Sequence, residues 1–243
     1  MVRILVTGST DGLGRATAET LLREGHDVVV HARSTARADA VSDLTDAGAD
    51  LVVADLAERD EVLAAVRTLE DGEPLDAVVH NAGVISGASI VPVNVVAPYL
   101  FTALLTSPTR HVYLSSGMHR SGSPDLDGVD WTGRTASRSY SDSKLFVTTL
   151  SAAVAARWPG VRANAVDPGW VPTKMGGAGA PDDLELGHRT QEWLATAAEA
   201  TVSGGYWYHQ AEQEPHPAVR DARFRDDLLR ALADATGVTL PAR

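Results

Sequence analysis

Short apolar runs rich in β-branched residues recur along the chain at Val2–Thr7, Val28–Ala32, Leu51–Ala54, Ala77–Asn81, His111–Ser115 and Arg162–Val166. They are too short for helices and apolar on both faces, as strands buried on both sides must be. Between most of them apolar residues return at helical spacing, which predicts helices over about 12–24, 37–47, 58–70, 95–106 and 139–158. Strands of this kind alternating with helices imply one α/β domain over the whole chain, a doubly wound parallel sheet of the Rossmann type covered on both faces.

The pattern changes after the sixth strand, where Gly176-Gly177-Ala178-Gly179-Ala180-Pro181 cannot hold a rigid element unaided. Residues 174–187 read as a mobile loop, and 174–190 as a lid that closes Trp170 and Met175 over an apolar substrate. A helix over about 188–199, a short strand at Tyr206–Tyr208 and a last helix over about 218–235 complete the chain.

Composition narrows the function classes. The 243 residues fit a single α/β domain, and 44% hydrophobic with 22% charged residues is ordinary globular chemistry. A net charge of -11 argues against a nucleic-acid surface, which needs clustered Lys and Arg. The absence of cysteine excludes disulfides, a thiolate nucleophile and Cys-ligated metal. No apolar run approaches the ~20 residues that span a bilayer, and Gly8 interrupts the first strand too early for a signal segment. A cytoplasmic enzyme that engages no membrane is the expectation.

Candidate chemistry begins at the first strand's end, in Thr7-Gly8-Ser9-Thr10-Asp11-Gly12-Leu13-Gly14. Glycines there let the backbone turn tightly and approach a pyrophosphate, whose charge the following helix N-terminus holds. The spacing is G-x-x-x-G-x-G rather than G-x-G-x-x-G, since position 17 is Thr. The second strand ends in His31-Ala32-Arg33-Ser34. It offers no carboxylate for a ribose 2′-hydroxyl, and Arg33 suits a 2′-phosphate instead, which points to NADP(H) over NAD(H). Asp55-Leu56 and Asn81-Ala82-Gly83 follow the third and fourth strands, at the sheet edge where such folds bind ligands. Asp55 alone could equally cap the next helix, and Asn81 could merely make a turn.

Ser116 follows the fifth strand, and Tyr140 and Lys144 stand at i and i+4 on the next helix, phenol and ammonium on one face. A phenol ordinarily ionises near pH ~10, so a phenolate near pH 7 costs roughly 4 kcal/mol, which Lys144 and an oxidised nicotinamide would help to offset. Ser116 can polarise a carbonyl oxygen meanwhile.

In this order of motifs the chain resembles the short-chain dehydrogenases/reductases over essentially its full length. The resemblance implies a catalytic set of Asn94, Ser116, Tyr140 and Lys144, with Asn94 holding a water in the proton relay. It extends the cofactor-binding set to Pro168, Gly169, Val171 and Thr173, with Thr173 against the nicotinamide carboxamide. Leu114-Ser115-Ser116-Gly117-Met118-His119, Tyr140-Ser141-Asp142-Ser143-Lys144-Leu145 and the long gap between Ser116 and Tyr140 resemble the retinol-dehydrogenase-like branch, which tends towards NADP(H). The implied activity is NADP(H)-dependent hydride transfer between nicotinamide and a small apolar or aromatic carbonyl or alcohol. The alternative is a catalytically idle NADP(H)-binding sensor.

One departure is large: only 13 positions separate Asn81 from Asn94, where the family inserts a helix. Members commonly dimerise through the helix after the Asn and the helix carrying Tyr and Lys. A shortened first helix, with Tyr99, Thr102 and Thr106 on its free face, therefore suggests a monomer or a dimer on a non-standard surface such as the last helix. His119 reads as a solvated loop histidine, Trp170 as pocket lining and Trp193 as lid or core. His209 and His216 lack metal-ligand spacing, and no metal is expected.

Overall fold

The first apolar run folds as β1 (Arg3–Val6), the switch point of an eight-stranded sheet in a computed structural model that describes residues 1–243. Strands β2 (Asp27–Ala32) and β3 (Asp50–Val53) lie to one side of it. On the other side β4 (Ala77–His80), β5 (Arg110–Leu114), β6 (Arg162–Asp167), β7 (Tyr206–Tyr208) and β8 (Ala211–Gln213) follow in order. All pairs are parallel except β7–β8. The order of strand addition reverses at β1, which opens a crevice at the carboxyl ends of β1 and β4, the position that binds ligands in such sheets.

Strand periodicity divides the core into two layers. Leu5, Val29, Val52, Val78, Tyr113 and Ala163 face one side, against α4 (Arg59–Glu70), α5 (Ala97–Leu104), α6 (Tyr140–Arg157) and α8 (Ala222–Thr236). Their neighbours Ile4, Val6, Val28, Val30, Val79 and Val112 face the other, against α1 (Gly12–Arg23), α3 (Ser42–Asp46) and α7 (Leu184–Thr196).

Four elements differ from expectation. The helix at 37–47 is broken into α2 (Thr35–Ala38), a 3₁₀ turn at Asp39–Val41 and α3, because Val41 leaves the helical conformation. The helix at 95–106 becomes a π-helical turn, Pro92–Val96, running into the eight-residue α5. The helix placed at 188–199 starts at Leu184, where Asp183 caps it by accepting from the amides of Glu185 and Leu186. The expected loop and lid therefore end near residue 183, and their later residues belong to a helix in which Gly187, His188 and Thr190 are buried. Finally, β8 is an exposed polar edge strand without an apolar signal, joined to β7 by a tight turn with positive φ at His209 and Gln210.

The outer faces of α5 and α6 are covered by the chain itself. Tyr99 and Thr102 are fully buried, and the Tyr99 hydroxyl donates to Val238 O at 2.6 Å. The Trp158 indole donates to Pro241 O at 2.7 Å, and Arg243 reaches Leu105 O and stacks 4.2 Å over Trp158. The polar face expected there is thus absent: residues 236–243 close over Tyr99, and Thr102 turns inward, its hydroxyl bonded to Pro98 O and the Tyr113 hydroxyl at 2.7 Å each. No helix is long and apolar enough to cross a membrane.

Candidate active site

A cleft of about 1260 Å³ runs along the carboxyl edge of the sheet, larger than the ~300–1,000 Å³ of ordinary small-molecule pockets. Its floor at one end is the turn between β1 and α1. Gly8 and Gly12 there adopt positive φ, +69° and +52°, which favours glycine. A Cβ on Gly14 would collide with the Asn81 side chain and with Gly8 O. The turn is clamped from both sides. Asn81 donates from its amide to Thr7 O at 2.8 Å and Gly8 O at 3.3 Å, tying β4 to β1. His31 accepts at Nδ1 from the Gly8 amide at 2.9 Å, so its proton sits on Nε2 and is donated to Ala54 O at 2.9 Å. Burial holds His31 below its ordinary pKa, consistent with this neutral tautomer.

Gly8, Thr10, Asp11, Gly12, Leu13 and Gly14 line the cleft, as do Arg33, Asp55, Leu56, Asn81, Ala82 and Gly83. Ser9 does not: it is fully buried beneath the turn, its hydroxyl donating to Val6 O and accepting from the His31 amide. Asp55 does not cap α4, whose cap position is Glu58; its carboxylate accepts from the Ala57 amide at 2.9 Å. Exposed Arg33 is joined at the cleft by Arg37, which donates to the Thr10 hydroxyl at 3.3 Å. Lys174 bridges from the far rim to Asp11 at 2.6 Å. The turn is thus less acidic than its sequence suggests.

At the other end Ser116, Tyr140 and Lys144 converge. Helix α6 is buried on nearly all sides and starts with a reciprocal cap: Ser139 accepts from the Asp142 amide, and Asp142 accepts from the Ser139 amide. This fixes the first turn, and with it Tyr140. Lys144 is 4% exposed; its ammonium lies 5.4 Å from the Tyr140 ring centre and donates to Leu114 O at 2.7 Å. Burial pulls Lys144 down to about 8, against the opposing pull of Asp167. Burial pushes Tyr140 up to about 12, Ser116 hydrogen bonding works the other way, and Asp167 adds to the rise.

Asn94 does not line the cleft. It lies in the π-helical turn, where its amide donates to Val84 O and Ser143 Oγ and accepts from the Val84 amide, each at 2.9 Å. Its side chain is spent on holding Val84 against α6. Gly83, just before, lies beside both groups: a Cβ there would stand in ordinary contact with Asn94 Oδ1 and the Lys144 ammonium, at 3.4 and 3.5 Å.

Pro168, Gly169, Val171 and Thr173 form the wall opposite the glycine turn. Gly169 has φ +82°, and a Cβ would meet Asp182 Oδ2 at 2.6 Å. The Thr173 methyl packs over Gly12. Trp170 lines the cleft as expected and is 61% exposed, its indole donating to Gly176 O at 2.8 Å. Trp193 belongs to the core, edge-on to Trp207 at 5.2 Å. His119, expected in solvent, is fully buried: Nδ1 donates to Ser116 O at 2.8 Å and Nε2 accepts from the His216 amide at 3.0 Å.

The sequence profile described as short chain dehydrogenase matches residues 3–105. The short-chain dehydrogenase chyC of Penicillium rubens is 35% identical, with 100% of both chains covered. This chain belongs to the short-chain dehydrogenase family. A second short-chain dehydrogenase, chry4 of Gibberella zeae, is 34% identical over 100% of both chains. Retinol dehydrogenase 13 of Homo sapiens is 26% identical over 98% of this chain and 86% of its own, so the family resemblance includes retinol-dehydrogenase-like relatives. Among solved structures, a Mycobacterium paratuberculosis protein superposes with a TM-score of 0.80 at 23% identity, covering 99% of this chain and 95% of that one. A Shigella flexneri short chain dehydrogenase complexed with NADP gives 0.68 at 22% identity, covering 86% and 97%.

In this short-chain dehydrogenase, residues that sequence reasoning missed also line the cleft: Arg37, Lys174, Asp167, Asp182 and Tyr208. Arg37 carried a signal, four residues beyond Arg33 in the segment that follows the second strand. Asp167 carried one as well, directly before Pro168-Gly169. Lys174 and Asp182 fall within the expected lid without being singled out, and Tyr208 arrives by tertiary packing alone.

Proposed function

We propose that the protein is an NADP(H)-dependent oxidoreductase that interconverts a carbonyl and an alcohol. The observation that carries this reading is the convergence, in one cleft, of a glycine turn at a helix N-terminus with Ser116, Tyr140 and Lys144. A dinucleotide fits what is present: turn amides and the α1 N-terminus suit a pyrophosphate, and Arg33 with Arg37 suits a 2′-phosphate. The Shigella flexneri relative's complex with NADP agrees with that choice. Asp55 and Leu56 would border the adenine end, and Val171 and Thr173 the nicotinamide end. When bound, the nicotinamide supplies or accepts the hydride, and its oxidised form adds positive charge.

This chain's own part is proton and oxygen chemistry. Ser116 hydrogen-bonds the substrate oxygen and holds it against Tyr140. Tyr140 gives its hydroxyl proton to that oxygen during reduction and takes it back during oxidation. Lys144, kept cationic below about pH 8, stabilises the phenolate that results. Asn94 positions the first turn of α6 through Ser143, whose hydroxyl donates to Tyr140 O at 2.7 Å. An idle nucleotide sensor would need none of these three side chains in the cleft.

The apolar rim formed by Ile85, Met118, Trp170 and Met175, each 45% exposed or more, suits an apolar or aromatic substrate body. The test is NADPH consumption against a panel of ketones, aldehydes and quinones. Turnover of an aryl or alkyl carbonyl with NADPH, and less with NADH, is expected; tight NADPH binding with no turnover across the panel would favour the sensor.

A further inference from the structure

Asp167 is a buried carboxylate at the catalytic end of the cleft with no cation in direct contact. It is 9% exposed and lines the same cleft as Ser116, Tyr140 and Lys144. None of the molecule's ion pairs includes it. Its oxygens accept two hydrogen bonds, from the Tyr206 hydroxyl at 2.8 Å and from the Gly169 amide at 3.0 Å. An ionised carboxylate has about four lone-pair positions, so two remain.

A purely structural acceptor here would not need charge. An asparagine oxygen could accept from Gly169 or Tyr206 without the cost of burying an anion. The surroundings preserve the carboxylate's access instead. Gly117, at the start of the turn after Ser116, has no side chain, and a Cβ there would come within 3.1 Å of Asp167 Oδ2. Arg120 is engaged elsewhere: it stacks 5.0 Å from the Tyr206 ring centre and donates to Glu214 O at 2.9 Å. Tyr206 is wedged between Arg120 and His119, whose ring centre lies 4.5 Å away, and so holds its hydroxyl, and the carboxylate, in place.

We propose that Asp167, oriented by Tyr206, is a specificity-determining residue that accepts a hydrogen bond from a donor group carried by the substrate beside its reacting carbonyl. The substrate class is therefore an apolar or aromatic ketone with a neighbouring hydroxyl, amide N–H or ammonium, or the corresponding alcohol. The apolar rim holds the body, Ser116 and Tyr140 hold the reacting oxygen, and Asp167 selects the donor. The charge that Asp167 adds also favours the cationic form of Lys144, so one carboxylate acts on the machinery and on the substrate.

This inference rests on the oxidoreductase reading, and its test separates the two. The probes are 2-hydroxyacetophenone and 2-methoxyacetophenone, which share ring, carbonyl and neighbouring oxygen and differ in the donor. A hydrogen bond to a charged group is worth roughly a ten- to hundredfold preference, so kcat/KM with NADPH should favour the hydroxy ketone by about that ratio. Asp167→Ala should bring the ratio near one, Asp167→Asn should leave it intermediate, and Tyr206→Phe, which keeps the carboxylate, should retain a preference. A ratio that stays the same in Asp167→Ala, whether both rates fall together or only NADPH affinity changes, would overturn the proposal. If neither ketone turns over, the oxidoreductase reading is judged on the wider carbonyl panel, and calorimetric binding of the two ketones in the presence of NADP+ decides this proposal. A hydroxy-ketone preference that Asp167→Ala removes supports the site, and equal binding in the wild type rejects it.

Discussion

Replacing Lys144 with methionine should expose what the fold gives up to keep a charge in its catalytic cleft. The side chain is buried, with one hydrogen-bond partner, and its pKa falls from 10.5 to about 8 because burial disfavours the ammonium. For a base whose folded pKa lies below its unfolded one, the unfolded chain binds more protons between the two values, so stability rises with pH there. The penalty is therefore present in full below about pH 8 and is relieved as the pH climbs towards 10.5. A tenfold difference in proton affinity corresponds to about 1.4 kcal/mol, and between pH 7 and pH 10 the linkage gives wild type a gain of about 2 to 3 kcal/mol that Lys144→Met cannot share. Loss of the hydrogen bond to Leu114 O offsets the variant's stability by a similar amount at both pH values, so it cancels in the comparison. Urea unfolding of both proteins at pH 7 and pH 10 measures it. The stability difference should move by about 2 kcal/mol or more in favour of wild type on going to pH 10. A difference that is the same at both pH values would show that Lys144 is not held charged at a cost, and would contradict the burial assigned to it.

Three further outcomes follow from other parts of the cleft. Arg33→Ala should weaken NADPH binding by roughly ten- to a hundredfold while leaving NADH nearly unaffected, and adding Arg37→Ala should abolish the preference; equal NADPH and NADH affinities in wild type would defeat this assignment. Residues 172–183, tied across the cleft by the exposed Lys174–Asp11 pair, should gain hydrogen-exchange protection on adding NADPH with a substrate analogue, and no change would count against a closing lid. Sedimentation velocity at micromolar concentration should show a monomer or a dimer through another surface, since residues 236–243 and α8 cover α5 and much of α6; a stable tetramer assembled through α5 and α6 would refute this.

The inner strands were legible because they are buried on both faces and read as continuous apolar runs, as Ile4-Leu5-Val6 and Val28-Val29-Val30 do, whereas β3 kept its apolar run, Leu51-Val52-Val53, at an edge where only Val52 is buried. The sheet edge followed from them, and with it the grouping of the glycine turn with Ser116, Tyr140 and Lys144. What stayed hidden depends on contacts between segments far apart in sequence. The polar Ala211-Glu212-Gln213 becomes a strand only by pairing with β7, and His119 is buried only because Tyr206 and the His216 amide reach it. Asn94 stands in the right place in the order of motifs, yet a π-helical turn directs its side chain into hydrogen bonds with Val84 and Ser143 instead of the cleft. Ser9 stands in the middle of the phosphate turn in sequence, but the positive φ of Gly8 and its own hydroxyl bonds to Val6 O and the His31 amide place it underneath. The last helix was visible from its periodicity, whereas the covering of Tyr99 by Val238 O is a long-range contact that no local pattern announces.

Tyr140→Phe tests the central claim most directly, because it deletes the one atom assigned to proton transfer and retains the ring that packs beside Lys144. Measured on a carbonyl that wild type reduces, with NADPH affinity followed in parallel by fluorescence titration, the variant should lose turnover while binding NADPH nearly as tightly as wild type. Retention of a tenth or more of the wild-type rate, with affinity unchanged, would contradict the account and move the proton-donating role away from Tyr140.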